Sequence, residues 1–446
     1  MIDWYTLLFF AFFLLFMIVE KTGSHRSPYE YIVTGQQIGL SGGTYSLLIQ
    51  FMTGATFLFP LILTVEFQLL SVFLLFFVAI FLYFLLIRIK ENDDIMGAFL
   101  NLKEKGKMPF LLWIFAFANV GNLFLQTGLI AYLFENLFHQ GLGVGVSLFL
   151  AFCFVYFGLG GYYGLSRIGS ILLYASFFIL SFTTLTLFLS SGIENVFEQY
   201  ATHYTSLFSG SLFDVVFCFL TFSFVMIGQT CTSFYFWRSL TLIKENHRKS
   251  ALRYSVFSWG AFLLAFVVLT ITCLVRMDTP ELANLLNLTK EMNPLLLHLV
   301  TYILFMLLVT GVGYNLYSVV SLFLIIKAGR TNQVRERSNR LVKQGYLLAL
   351  VVCFLVGVSA AVFYRNLITW IPFFLSFFAS ASVPFLLASV TGRFREKAAF
   401  FTVLVMAIAT IPGIKLIENL WLIAPVSGLM ALIIYTLIPK FKIVRK

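Results

Sequence analysis

Three short stretches of the chain place hydrogen-bonding residues inside long apolar runs. Gln50, Thr53, Gly54 and Thr56 fall close together and are preceded by Ser41, Gly42 and Gly43. Ser223, Gly228, Gln229, Thr230, Thr232 and Ser233 form a second cluster, and Thr310, Gly311, Gly313, Tyr314 and Asn315 a third. A helix broken at such a place frees carbonyl and amide groups that must find a hydroxyl, an ion or a ligand. The chemistry on offer is therefore coordination of a solute or cation rather than bond making. Small residues and hydroxyls are also ordinary where helices pack closely, so each position has that plainer reading as well.

Catalytic chemistry has little support. The five histidines, His25, His139, His203, His247 and His298, are scattered over expected loops and helix ends. Cys153, Cys218, Cys231, Cys273 and Cys353 all fall within apolar runs, with no metal-ligand spacing and none in an outer loop where oxidation would pair it. No nucleophile–base pair, P-loop or soluble catalytic domain is visible, so no enzyme, metal site or cofactor is expected and any transport would draw on a gradient.

The elements that must position the three clusters follow from composition. Of 446 residues, 60% are hydrophobic and 11% charged, and the mean hydropathy is +0.95. Soluble domains carry about 25% charged residues, which excludes that class. Thirteen apolar runs are long enough to span a bilayer as helices, near residues 4–20, 41–62, 66–88, 109–135, 143–164, 168–191, 210–237, 252–274, 295–326, 345–364, 367–391, 398–414 and 420–438. The first lacks a basic leader and a small-residue cleavage site and is read as a retained helix. The expected fold class is all-α and polytopic.

The net charge of +11 needs no nucleic-acid partner. With thirteen spans, 26 of the 30 Lys and Arg fall on one side, leaving Arg276, Lys290, Arg365 and Lys415 on the other. That asymmetry predicts an outside N-terminus and a cytoplasmic C-terminus in the plasma (inner) membrane. The partners expected are the lipid bilayer and a small solute; the sequence names no protein partner. The first and second clusters lie in the second and seventh spans, each the first of five. This count suggests two inverted five-helix halves, 41–191 and 210–391, within a transport core at 41–391. Residues 1–40 hold a peripheral helix and loop, and 392–446 two further helices and a basic tail.

Four segments resemble the sodium/solute symporter family. Tyr31-Ile32-Val33-Thr34-Gly35 followed by Ile38-Gly39 is similar to the stretch before that family's first core helix. Tyr156 to Gly161 with Leu165-Ser166 is similar to its Tyr-x-x-x-Gly-Gly turn. Trp237-Arg238-Ser239-Leu240, with Lys244 and Arg248-Lys249-Ser250, resembles the segment leaving its sixth core helix. Asn315 to Arg330, with Ser321, resembles its eighth.

The resemblance implies a LeuT-type 5+5 core and a sodium site between the first and eighth core helices. By position, the carbonyls of Ile49, Met52 and Leu308 would serve that site. Its two hydroxyl positions fall on Gly311 and Val312, which carry none, and Thr310 serves only if the alignment shifts by one residue. An acidic position of the family falls on Gly169. An oxygen-poor shell holds a hard cation weakly or not at all. The resemblance places the family's substrate positions on Phe51, Thr56, Val225 and Gln229; with Gln50 and Thr53 of the first cluster and Tyr314 these give the expected substrate-binding residues, and Phe57 and Phe222 add aromatic lining. A small or largely apolar solute suits such a lining better than a polyol. A proton could replace sodium, although Glu66, Glu135 and Asp214 lie near the outer ends of their spans. The expected function is secondary active transport of a small solute by alternating access, coupled to a cation through a weakened or absent sodium site. The alternative is a ligand sensor or scaffold that no longer transports.

Overall fold

The computed structural model describes residues 27–32, 37–90, 110–138, 142–203, 210–274, 294–331, 339–364, 367–413 and 420–438. The expected first span lies outside them. The described residues are almost wholly helical: α1 (Pro28–Ile32), α2 (Leu40–Phe51), α3 (Gly54–Phe67), α4 (Leu70–Lys90), α5 (Phe110–Phe138), α6 (Leu142–Cys153), α7 (Gly161–Ser191), α8 (Ile193–His203), α9 (Leu212–Cys231), α10 (Phe234–Leu242), α11 (Glu245–Leu274), α12 (Pro294–Thr331), α13 (Asn339–Phe363), α14 (Leu367–Thr391), α15 (Glu396–Gly413) and α16 (Leu420–Leu437). Among the described residues, eight helices are long and apolar enough to cross a membrane, or nine if the bent pair α2–α3 is one span. Their outward faces are greasy: Phe354 of α13 is 68% exposed and Phe84 of α4 60% exposed. Large aromatic side chains left exposed on apolar helices in this way suit a lipid solvent.

Apolar runs become helices because a bilayer leaves no other way to pair the backbone, and glycine or hydroxyl residues decide where they stop. The second span breaks at Met52–Thr53, with α2 and α3 bent by 58°. The seventh breaks between Cys231 and Phe234. A π-helical turn, Phe154–Leu159, extends α6, and the chain turns into α7 at Gly161, whose φ of +57° favours glycine. That turn falls several residues before the boundary expected from hydropathy near 164–168, because the run itself stays apolar through it. The carbonyls loosened by the π turn are met by Tyr31 of α1, whose hydroxyl lies 3.0 Å from Gly158 O and 3.3 Å from Phe157 O.

The chain divides into two compact units. The first comprises residues 1–80, 119–211 and 234–367. Within it, a short strap pairs Ile38 with Ile243: Ile38 N–H donates to Leu242 O (2.9 Å) and Lys244 N–H to Ile38 O (3.1 Å). The strap joins the chain just before α2 to the end of α10. Gly43 lies against it, since a Cβ there would come within 2.8 Å of the Ile243 side chain. Helix α8 has no counterpart in the span reading; Val196 and Tyr200 bury against Leu69 and Ile271 while Glu194 and Glu198 stay exposed.

The second unit comprises residues 81–118, 212–233 and 368–446. There α9 meets α16, with the Thr221 hydroxyl donating to Trp421 O (2.6 Å), and Ser376 of α14 bonds Ser427 of α16. Gly228 allows α9 to lie against α14 so closely that a Cβ would sit 1.8 Å from Phe378 O.

Candidate functional site

The break between α2 and α3 exposes backbone groups in the interior of the first unit, where leaving them unpaired is costly. Thr56 answers several. Its hydroxyl donates to Phe51 O and accepts from Thr53 N–H (3.2 Å) and from Trp259 Nε1–H of α11 (3.3 Å). Gly54 N–H, at the start of α3, donates to Gln126 Oε1 of α5 (2.8 Å). Met52 O accepts from the Thr310 hydroxyl of α12 (3.0 Å), which also lies within reach of Leu307 O and Met306 O. Side chains from three other helices therefore converge on one bend. All of these groups are buried, none more than 5% exposed.

Two glycines make room for the amide of Gln126. A Cβ at Gly54 would meet Gln126 Oε1 at 2.9 Å, and one at Gly311 would meet it at 3.2 Å. Aromatic rings surround the bend: Phe51 packs on Trp259 with centroids 5.6 Å apart, and Phe57 meets Phe266 edge-on at 5.3 Å. Rigid rings of this kind define shape, while the amide and hydroxyls define orientation. Acid–base or nucleophilic groups are not part of the arrangement. Among the described residues no three His, Cys, Asp or Glu side chains group as metal ligands.

The sequence-predicted residues separate into distinct neighbourhoods. Gln50, Phe51, Thr53 and Thr56 are all buried at the bend. Tyr314 is buried too, its ring stacked on Tyr235 of α10 at 6.0 Å. Gln229 is buried in the second unit, one turn before the break that ends α9. Of the positions expected to serve a cation, Met52 and Thr310 touch. Leu308 directs its side chain toward Gly54, Gly311 faces Gln126 and Val312 is buried. Ile49 O accepts a bond from Met52 N–H (3.3 Å). Gly169, the position of the family's acid, lies against Ile49; a Cβ there would stand 2.4 Å from Ile49 Cδ1.

No family model and no curated protein matches the chain. Solved structures do. The chain is similar to a Na+-coupled sialic acid symporter in a substrate-bound outward-open state, at 14% identity, over 97% of this chain and 96% of that one, with a TM-score of 0.72. It is also similar to a mutant manganese transporter from Eremococcus coleocola, at 16% identity, over 89% of this chain and 92% of that one, with a TM-score of 0.52. The fold is LeuT-type.

Within this LeuT-type fold, sequence reasoning missed Gln126, Trp259 and Arg238. Gln126 stands in an apolar run with Asn119 and Asn122, three amides spaced near helical periodicity, which was the available signal. Trp259 offered none. Arg238 was assigned to the loop after the seventh span, whereas it lies within α10 and is half-buried. The apolar run ends at Trp237, but α10 continues to Leu242.

Proposed function

We propose that the protein is a secondary transporter that moves a small solute across a membrane by alternating access. The reading rests chiefly on the bend between α2 and α3, a discontinuous apolar helix whose freed groups meet polar side chains from α5 and α12, with Trp259 of α11 bonded to the Thr56 hydroxyl. Discontinuous helices of this kind supply solute sites in transporters, because backbone groups at a break can change partner without unfolding a helix. The similarity to a sodium-coupled symporter and a manganese transporter supports the same class. On this reading the chain is a divergent relative of the sodium/solute symporters. The ten spans between 41 and 391 carry transport, and the basic face of the molecule is cytoplasmic.

Gln50, Phe51, Thr53, Thr56 and Tyr314 are the residues we assign to the solute. The aromatic surroundings and the few polar groups favour a small, largely apolar solute carrying a hydrogen-bond acceptor or donor. Sodium coupling through the family's site is weak or absent in this reading. Gly311 and Val312 bring no hydroxyl, and the Met52 carbonyl already accepts from the Thr310 hydroxyl.

Uptake by proteoliposomes is the test. Purified protein is reconstituted, sodium and proton gradients are imposed in turn, and pooled radiolabelled amino acids, carboxylates, sugars and nucleobases are offered. Accumulation of at least one pool supports the reading, and the gradient whose collapse abolishes it names the coupling ion. Ligand-induced thermal stabilisation with no flux from any pool points instead to a sensor built on the same fold.

A further inference from the structure

The outward side of α13 has no place in the transport reading. Asn339, Arg340, Lys343, Gln344 and Leu347 line one pocket of about 390 Å³. Its size falls within the range of about 300–1,000 Å³ that holds small ligands. The lining brings two cations and no carboxylate, so the pocket favours a negatively charged occupant. Arg340 and Lys343 are exposed, whereas Oε1 of Gln344 is buried and makes no hydrogen bond. An amide oxygen only accepts, so that atom calls for a donor beside the anion.

Helical spacing extends this face into the hydrocarbon. Arg340, Lys343, Leu347, Leu350, Phe354 and Val358 recur every three or four residues and therefore share one side of α13. The four apolar members of the series are exposed. The other side of the helix packs inward: Gly345 lies against Leu324 of α12, where a Cβ would stand 3.2 Å from its side chain, and Ala349 and Cys353 are buried. Leu347 to Val358 spans about 16 Å at 1.5 Å per residue. One leaflet of a bilayer is about 15 Å of hydrocarbon, half of the full thickness of about 30 Å. The cationic pocket thus tops an apolar strip of acyl-chain length. Snorkelling accounts for a lone Lys or Arg at an interface, but not for two of them sharing a pocket with a buried amide. A soluble anion would use the pocket and leave the strip without a role.

We propose that this face of α13 binds one anionic phospholipid with a polyol headgroup. Arg340 and Lys343 take the phosphate, a headgroup hydroxyl donates to Gln344 Oε1, and an acyl chain lies along Leu347, Leu350, Phe354 and Val358. The site rests on the membrane placement of the fold and does not depend on the transport reading.

The test is thermal unfolding of the purified full chain in mixed micelles, at fixed total lipid and ionic strength, with phosphatidylcholine replaced stepwise by phosphatidylglycerol. The proposal predicts a saturable rise in melting temperature. Arg340→Gln combined with Lys343→Gln should abolish the rise, and native mass spectrometry should find phosphatidylglycerol retained on the wild type and not on this variant. Gln344→Leu removes one hydrogen bond and should raise the half-saturating lipid fraction about fivefold, which carries the test if the double variant folds poorly. Arg253→Gln removes an exposed cation of α11 that lies over the Tyr254 ring, and should leave the titration unchanged. Equal melting temperatures in the two lipids overturn the proposal. A rise without saturation that Arg253→Gln lowers as much as the double variant does shows diffuse attraction to a charged surface and overturns it too. An equal rise with soluble glycerol phosphate in place of the anionic lipid overturns it in favour of a free phosphate site.

Discussion

Around the break at Phe51–Gly54, four backbone groups set free by the bend each meet a side chain: Phe51 O and Thr53 N–H meet Thr56, Met52 O meets Thr310, and Gly54 N–H meets Gln126. Around the rings of Tyr162 and Tyr317, in the same unit, hydroxyls meet other elements: Tyr162 donates to Ser239 Oγ (3.3 Å) and Tyr317 to Ile32 O (2.9 Å). Both regions are buried and rich in hydroxyls, so polarity alone does not distinguish them. The difference lies in what the polar groups answer. At the break they answer the protein's own backbone, which holds a bent helix in one conformation. Around Tyr162 and Tyr317 they tie one helix to another, α7 to α10 and α12 to α1, where no helix is broken.

Perturbing the matched region should cost stability in proportion to the groups left unpaired. Thr56→Val keeps the shape and strands Phe51 O, Thr53 N–H and Trp259 Nε1–H at once. At about 1–3 kcal/mol for each buried orphan, the loss should reach roughly 3–5 kcal/mol. Denaturant titration in detergent measures it, and Thr56→Ser should recover most of it. Gln126→Leu strands only Gly54 N–H and should cost about 1–3 kcal/mol. Gln126→Glu keeps an acceptor at the start of α3, where negative charge is favoured, and should be milder above the carboxyl pKa.

Gly311→Ser places a Cβ against the Gln126 amide and should cost about 1–2 kcal/mol through crowding. If it instead raised sodium affinity without loss of stability, the hydroxyl position would belong to a cation site after all. Thr310→Val should be mildest, near 1 kcal/mol, because its hydroxyl shares one proton among Met52 O, Leu307 O and Met306 O, and the two helix carbonyls already have backbone partners. A larger loss for Thr310 than for Thr56 would reverse the assignment of which residue holds the bend.

Much of the fold was legible because a bilayer permits so few solutions. Each expected span from the second to the thirteenth overlaps a helix or a broken helix among the described residues, eight or nine of which are long and apolar enough to cross a membrane, and the two breaks fall where Gly, Thr and Gln gather. What hydropathy could not show was local geometry inside a uniformly apolar stretch. The π turn at Phe154–Leu159 and the early turn at Gly161 leave no mark on an average over neighbours. Helix α8 buries Val196 and Tyr200, one turn apart, in a segment too polar to register as a span.

The candidate site was half legible. Thr53, Gly54 and Thr56 announce a bend by their types, but the partner of Gly54 N–H lies 72 residues away in sequence, and no local pattern selects Gln126 from its neighbours Asn119 and Asn122. Thr310 illustrates the same limit from the other direction. A register of one residue decides whether Thr310 or Gly311 faces Met52, and only packing of α12 against α2 fixes it, with Thr310 toward Met52 and Gly311 toward Gln126. The seventh run reads as ending at Trp237, before the first charge, whereas α10 continues through Arg238 to Leu242.

The claim that the bend is an alternating-access site is tested most directly by a single cysteine in place of Phe51, in a chain whose five native cysteines are replaced. Membrane-impermeant thiol reagents are applied from each face of reconstituted vesicles, with and without a disulfide locking Ile38→Cys to Ile243→Cys across the strap. The account predicts labelling from either face in the unlocked chain, and loss of labelling from the face of the strap alone once it is locked. Unchanged labelling from that face in the locked chain, or none from either face in the unlocked one, would contradict it.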